Sequence, residues 1–486
     1  MLIKGGTANW SVSEASRPQV EAQTLKPADI TQQGPSPGSL PYRLTPAPPP
    51  SLFQKIAFAT LIIFLPVSFS RVNEFIPIPY AVRAPLAICF AAAFLSGGVF
   101  RAMLSRPGVL LLAFTFWLCV SLPFSVWKGG SFALLTERWV ISLLVFLVIA
   151  GAINSFAQCR KAMYAMAAAA ALIMLLSFLF GGGERLSLAW GTLGNPNDFA
   201  AFLLLGTPFC IYVFFDQARL TLKLLALASV AGILVLALRS GSRAGLVTML
   251  AMAAVMFWKL SLANKIKLMM IVLFTAPLIV PFVPRATWQR LTTFGQAESE
   301  QLLENPDLGA ATASYWARRK VALDALELTL RNPLLGVGPG QFAPAAAGMA
   351  ASRGEFALWR ETHNTYLQVS SECGLPALAL FLALLGYCFR SMSAVRRMAS
   401  RSPSLLPVST MASAIYFAVS IYAFIGLFGS YAYTMLLPAY AAFAEAVART
   451  AVPLLQAVSP LPASHSAVTP ALRPAPAFWP RRLINS

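Results

Sequence analysis

Apolar runs of about 17–22 residues recur from Leu52 to Ala448, each close to the ~20 residues a helix needs to cross ~30 Å of hydrocarbon. Lipid offers a bare backbone no hydrogen-bonding partner, so such runs become helices. Of the 486 residues 57% are hydrophobic and only 11% charged, which excludes a string of soluble domains. The fold class that follows is an all-α polytopic membrane protein. About twelve spans are expected, at 52–70, 80–100, 108–126, 138–153, 162–180, 198–215, 220–238, 243–258, 266–283, 365–389, 408–428 and 430–448.

A net charge of +19 would suggest nucleic acid as partner of a soluble chain, but here its distribution has a membrane explanation. With a cytoplasmic N-terminus, the inner loops carry Arg101, Arg106, Arg160, Lys161, Arg219, Lys223, Lys259, Lys265, Lys267, Arg390, Arg396, Arg397 and Arg401. The short outer loops hold fewer: Arg71, Arg83, Lys128, Arg138, Arg185, Arg239 and Arg243. This is the positive-inside asymmetry, and an even number of spans leaves both termini in the cytoplasm. The partner implied is the bilayer, not nucleic acid.

Five segments follow along the chain. Residues 1–51 and 449–486 are rich in Pro, Ala and Ser and read as disordered cytoplasmic tails. The first tail has no basic-then-apolar start, so a cleaved signal peptide is not expected. Spans one to nine occupy 52–283, spans ten to twelve 365–448, and the segment 284–364 between them lies outside. Inside that loop, 314–331 places Trp316, Val321, Leu323, Leu326 and Leu330 at spacings near those of an amphipathic helix, ended by Asn332-Pro333. Cys89, Cys119, Cys159, Cys210, Cys373 and Cys388 fall in or beside spans, where cysteine packs as a small apolar residue, and none makes a metal-binding or disulfide pattern.

Unusual polar residues gather on the outer face. Arg239 and Arg243 flank a turn with barely any loop, where guanidinium can hold phosphate by paired hydrogen bonds or snorkel to headgroups. Arg318, Arg319 and Lys320 form a basic run on the loop helix, which serves either as a local anion site or as a solvated face. The turn Gly336-Val337-Gly338-Pro339-Gly340 can form an anion-binding nest or be an ordinary turn. His363, one of only two histidines, stands where the loop re-enters the membrane; it suits a general base or a structural role at a helix start. Asn197 and Asp198 can meet sugar hydroxyls or belong to a helix cap.

Read together, the stretches GTLGNPNDFAAFLLL, RSGSRAG, ARRKVALDALELTLRNPLLGVGPGQF and ETHNTYLQVSSECGLPALALFLALL resemble the O-antigen ligase and polymerase family of bacterial membrane glycosyltransferases. The likeness covers about residues 190–390, and NPLLGVGPGQF followed by HNTYLQ is its specific part. It implies a GT-C-like, metal-independent, inverting enzyme of the inner membrane, with no cofactor. Such an enzyme moves a glycan from undecaprenyl pyrophosphate to a sugar hydroxyl, such as that of lipid A-core, at the periplasmic face. By motif position Arg243 and Arg318, or the adjacent Arg319, would hold the pyrophosphate, and His363 would deprotonate or orient the acceptor. Asn197, Asp198 and Asn364 become candidate glycan contacts. The tryptophan that commonly follows the family's loop arginine by one turn is missing here.

A polymerase would use the same donor with a carrier-linked acceptor, and the sequence leaves that alternative open. A lipid-linked glycan transporter is disfavoured, because no inverted repeat is visible and ionisable residues keep to span ends. A scaffold without chemistry would not depend on His363.

Overall fold

In a computed structural model of the chain, residues 49–259 and 306–458 are described, apart from Pro77, Glu184, Arg185 and 189–192. The expected span at 266–283 and the loop start with Arg285, Arg290, Glu298, Glu300 and Glu304 lie outside the described residues. The helices used below are α1 (Leu52–Phe69), α2 (Arg83–Leu95), α3 (Arg106–Ser121), α4 (Val140–Ala152), α5 (Phe156–Phe180), α6 (Pro196–Phe215) and α7 (Leu220–Arg239). They continue with α8 (Arg243–Lys259), α9 (Pro306–Arg331), α10 (Phe342–Ser352), α11 (Thr365–Ala399), α12 (Leu406–Ile425) and α13 (Leu436–Val458).

Among the described residues, eight helices are long and apolar enough to cross a membrane: α1, α3 extended to Phe124, the continuous run Lys128–Ala152, α5, α6, α7, α11, and α12 with its preceding turn. The protein is thus an all-α polytopic membrane protein. Helices α2 and α8 are shorter apolar helices at two of the other expected positions. Small residues let the helices approach closely: a Cβ on Gly98 would stand 2.4 Å from the carbonyl oxygen of Gly151.

Two helices depart from the expected spans in ways that build the site. Helix α11 has 35 residues, about 52 Å at 1.5 Å per residue and more than the hydrocarbon needs. It breaks at Gly374, where φ is +81° and ψ is 177°, with Pro376 two residues on. A half-helix from Thr365 to Cys373 therefore stands on the span that begins at Leu375. The last helix, expected at 430–448, begins at Leu436 and runs to Val458. Residues 426–435 form an ordered turn in its place. Helix α13 also brings Glu445 and Arg449 into the bundle, against the expectation that ionisable groups keep to span ends. Tyr387 donates to Glu445 (2.6 Å), and Arg449 donates to the carbonyls of Ala150 (2.9 Å) and Ile153 (2.6 Å). These bonds, with the Arg449–Glu445 ion pair (3.8 Å), offset part of the cost of charges in the interior.

Helices α6, α8, α11 and α13 begin, and α1, α7 and α12 end, at one end of the bundle. The loop helices α9 and α10 lie at that end too, packed on α11. At the opposite end Arg160 bonds Asp216 (2.6 Å), joining the start of α5 to the end of α6.

Candidate active site

The chain RSGSRAG makes a tight reversal between α7 and α8. Gly241 takes φ +60°, a left-handed conformation that costs glycine little, and the Ser242 hydroxyl accepts from the Gly245 N–H (3.1 Å), which caps α8. Arg243 is therefore the first residue of a helix, where the positive end of the helix dipole adds to its own charge. The same Ser242 hydroxyl donates to Asn197 Oδ1 (2.9 Å) at the start of α6, whose cap is Asn195 accepting from the Asn197 N–H (2.9 Å). One residue on, Asp198 Oδ1 accepts from the Tyr431 hydroxyl (2.9 Å).

Tyr431 belongs to the ordered turn before α13, and that turn grips the entrance of α11. The Thr365 hydroxyl donates to the Gly429 carbonyl (2.7 Å) and accepts from the Tyr431 N–H (3.0 Å). Ser430 Oγ accepts from the His363 N–H (3.1 Å) and lies 3.0 Å from Thr362 Oγ1. Asn364 caps α11, accepting from the N–H groups of Tyr366 (2.9 Å) and Leu367 (3.0 Å). Hydrogen bonds and the chain neighbours Asn197–Asp198 and Ser430–Tyr431 thus link the turn beside Arg243 to the backbone of His363. Asn364 caps a helix, while Asn197 and Asp198 make tertiary bonds to Ser242 and Tyr431.

His363 has φ +50° and Trp359 φ +46°, left-handed conformations that are uncommon away from glycine and that collect at functional sites. Burial lowers the His363 imidazole to about 4, and the guanidinium groups of Arg318 and Arg360 push the same way, so the ring is neutral across the physiological range. Desolvation raises Glu361 above the usual carboxylate range and Asp198 adds repulsion, while Arg138 and Ser430 pull it down. Burial raises Tyr431 well above the ordinary phenol, with Asp198 adding to it.

Arg318, Arg319 and Lys320 project about 100° apart around α9, and each meets a different environment. Arg318 is within electrostatic reach of His363, Asp198 and Tyr431. Arg319 turns away and stacks on the Trp316 ring, with Cζ 5.3 Å from its centroid. Lys320 pairs with Glu355. Of the two adjacent arginines, Arg318 is the one coupled electrostatically to His363. Of the five apolar residues whose spacing marks α9 as amphipathic, Val321 alone is buried. Val321, Ala325 and Leu328 are buried, while Trp316, Leu323, Leu326 and Leu330 are exposed.

The glycine-rich turn after α9 is no open anion nest. Its N–H groups are used internally: Gly336 donates to Asn332 O (3.0 Å), Val337 to Ser371 O (3.0 Å), and Gly338 to Glu372 O (2.8 Å). Gly340 donates to the Glu372 carboxylate (2.8 Å), which also accepts from Tyr433 (2.7 Å). The anion in the cradle is the protein's own Glu372. Side chains are excluded here, since a Cβ on Gly336 would stand 2.2 Å from the Glu372 backbone and one on Gly374 2.0 Å from Leu334 O. The turn therefore clamps α9, which carries Arg318, to the half-helix that follows His363.

Sequence reasoning missed Ser430, Tyr431, Glu361 and Arg138. The last lies on the π-helical turn Leu135–Trp139, a rare irregularity frequent at functional sites. The break GSYAY between two apolar runs at the same end of the bundle was the one signal that could have exposed the first two. Among the described residues no three of His, Cys, Asp and Glu gather as a metal site would require.

The fold and this site define a membrane-embedded protein in which a cluster at one end of the bundle combines guanidinium groups with a neutral imidazole. Residues 227–382 match the family model described as O-Antigen ligase. The matched stretch holds Arg243, Arg318 and His363; Asp198 and Tyr431 lie outside it. No curated protein matches the chain.

Proposed function

We propose that the protein is an O-antigen ligase-type glycosyltransferase that takes a glycan from undecaprenyl pyrophosphate and passes it to a sugar hydroxyl, such as one on lipid A-core, at the periplasmic face of the inner membrane. The observation that carries this reading is that Arg318 lies within electrostatic reach of His363 and Asp198, while hydrogen bonds tie the turn preceding Arg243 to the start of α6 and His363 to the turn before α13, within a chain bearing the O-antigen ligase domain.

Arg243, at the start of α8, and Arg318 hold the pyrophosphate, whose negative charge grows as the bond from the anomeric carbon to the phosphate oxygen breaks. His363, neutral because burial and two guanidinium groups disfavour its charged form, presents a nitrogen to the acceptor hydroxyl. The acceptor oxygen bonds to the anomeric carbon from the face opposite the leaving pyrophosphate, and its proton passes to that nitrogen. Configuration inverts. Guanidinium supplies the positive charge that a metal would otherwise bring, so transfer by the purified protein is expected to persist in excess EDTA. Loss restored specifically by Mg²⁺ or Mn²⁺ would overturn that part of the reading.

The decisive assay supplies one carrier-linked donor and two acceptors, lipid A-core and carrier-linked repeat units. Transfer to lipid A-core is the expected result; chain extension alone would make the protein a polymerase, and neither would refute glycosyl transfer.

The orientation has its own test. The basic loops expected inside include those at the end with Arg160, opposite His363. Alkaline phosphatase fused near Gly348 is expected to be active and fused near Arg397 inactive. The reverse pattern would put the site in the cytoplasm and remove the carrier-linked donor from reach.

A further inference from the structure

Helix α9 has three faces rather than two. Val321, Ala325 and Leu328 pack inward on α10 and α11. Lys320, Glu327 and Arg331 form a charged face, paired among themselves and with Arg353 and Glu355 beyond α10. Trp316, Leu323, Leu326 and Leu330 form the third, an apolar stripe in which Leu323, Leu326 and Leu330 are largely exposed, Leu330 to 71%. Arg319 lies within this stripe, stacked on Trp316.

The stripe does not end in open water. It continues through Leu334, 66% exposed, to Leu375, 50% exposed, and the Leu375 N–H bonds the Pro333 carbonyl (2.7 Å). Leu375 is where the apolar span of α11 begins after the break at Gly374. On the neighbouring span, Val126 bonds the Val337 carbonyl (2.9 Å), and the exposed Trp127 lies beside it. The exposed apolar surface of α9 is therefore continuous with surface that faces lipid.

We infer that α9 lies in the plane of the outer leaflet, its Trp316–Leu330 stripe bedded at the boundary between headgroups and acyl chains. Tryptophan and leucine with an adjacent arginine are what that zone receives, the ring amphipathic and the guanidinium reaching lipid phosphate. The two neighbouring arginines then divide the work: Arg319 faces the lipid, and Arg318, about 100° around the helix, faces the site. Depth of immersion sets the height of Arg318 against the headgroup of a lipid-borne donor. That last consequence rests on the proposed glycosyl transfer; the immersion itself does not.

Spin labels read the immersion directly. In the full chain with Cys119→Ser, which removes the exposed cysteine, single labels are placed at Leu323→Cys, Leu326→Cys and Leu330→Cys, with Arg331→Cys and Glu355→Cys as controls. All five positions are on the protein surface, so folding is preserved. In nanodiscs of phosphatidylethanolamine and phosphatidylglycerol, the three stripe labels are expected to collide with oxygen and to lose broadening by nickel ethylenediaminediacetate. The controls are expected to do the reverse. Equal nickel access at all five overturns the inference, and shielding of the stripe from both reagents overturns it in favour of a protein partner. Shielding that arises only when undecaprenyl phosphate is added overturns it in favour of the carrier's chain. None of these outcomes depends on whether transfer is detected, so this inference and the enzymatic reading can fail separately.

Discussion

Glycan transfer falls by roughly 10²–10⁴-fold when His363 becomes alanine, the range of a lost general base, while donor binding stays near the parent value. The expectation rests on how His363 is held. Its backbone bonds Ser430, its φ of +50° directs it away from the run of α11, and burial with Arg318 and Arg360 keeps the ring neutral. With the imidazole lowered to about 4, the active, unprotonated form is present above that value and is lost as pH falls through it. The turnover rate of the parent is therefore expected to show no inflection near the ordinary histidine value of about 6.5. Glu361→Gln separates this from a titration of the neighbouring carboxyl. The measurement is transfer rate against donor concentration from pH 4 upward, and parent-like turnover by the alanine variant would return His363 to a purely structural role.

Arg318→Ala is expected to raise the donor KM and lower kcat together, because the pyrophosphate charge it meets is present at binding and grows in the transition state. Loss of a charge-assisted contact of this kind corresponds to about 10²-fold or more in kcat/KM. Arg319→Ala, one residue away but stacked on Trp316, is expected to remain within a few-fold of the parent. Arg243→Lys keeps the charge yet loses the planar two-pronged donor, so a large loss is expected even from that mild change. Equal effects at Arg318 and Arg319 would show that loop charge, not placement, is what matters.

Long apolar runs made the bundle legible, because in lipid only a helix satisfies the backbone. The break at Gly374 was not legible: the run from Thr365 onward reads as one helix, and only contact with Leu334 requires a glycine there. The late start of α13 was hidden for a similar reason. Residues 430–435 are apolar and aromatic enough for a span, yet Tyr431 is committed to Asp198 and Thr365. On α9, the spacing of the apolar residues marked an amphipathic helix but not which face meets protein; beside a bilayer large apolar residues need not do so, and smaller Val321 and Ala325 make the close contact. Arg243, Arg318 and His363 could be singled out by motif order, whereas Ser430 and Tyr431 acquire meaning only through partners more than sixty residues away.

The clamp at Glu372 and the grip of Ser430 fix both ends of one stretch of chain. It leaves at Gln341, directly after the glycine turn, and returns at Thr362 beside His363. Its tip is exposed at Gly354 and Phe356 between residues paired to α9, Arg353 with Glu327 and Glu355 with Lys320, and lengthening a loop whose ends are already closed adds little entropic cost. Insertions there leave the spacing of Arg318 and His363 unchanged. For protein engineering, this makes the tip a permissive module: a new binding segment can be grafted there while the cluster of Arg318 and His363 is left alone.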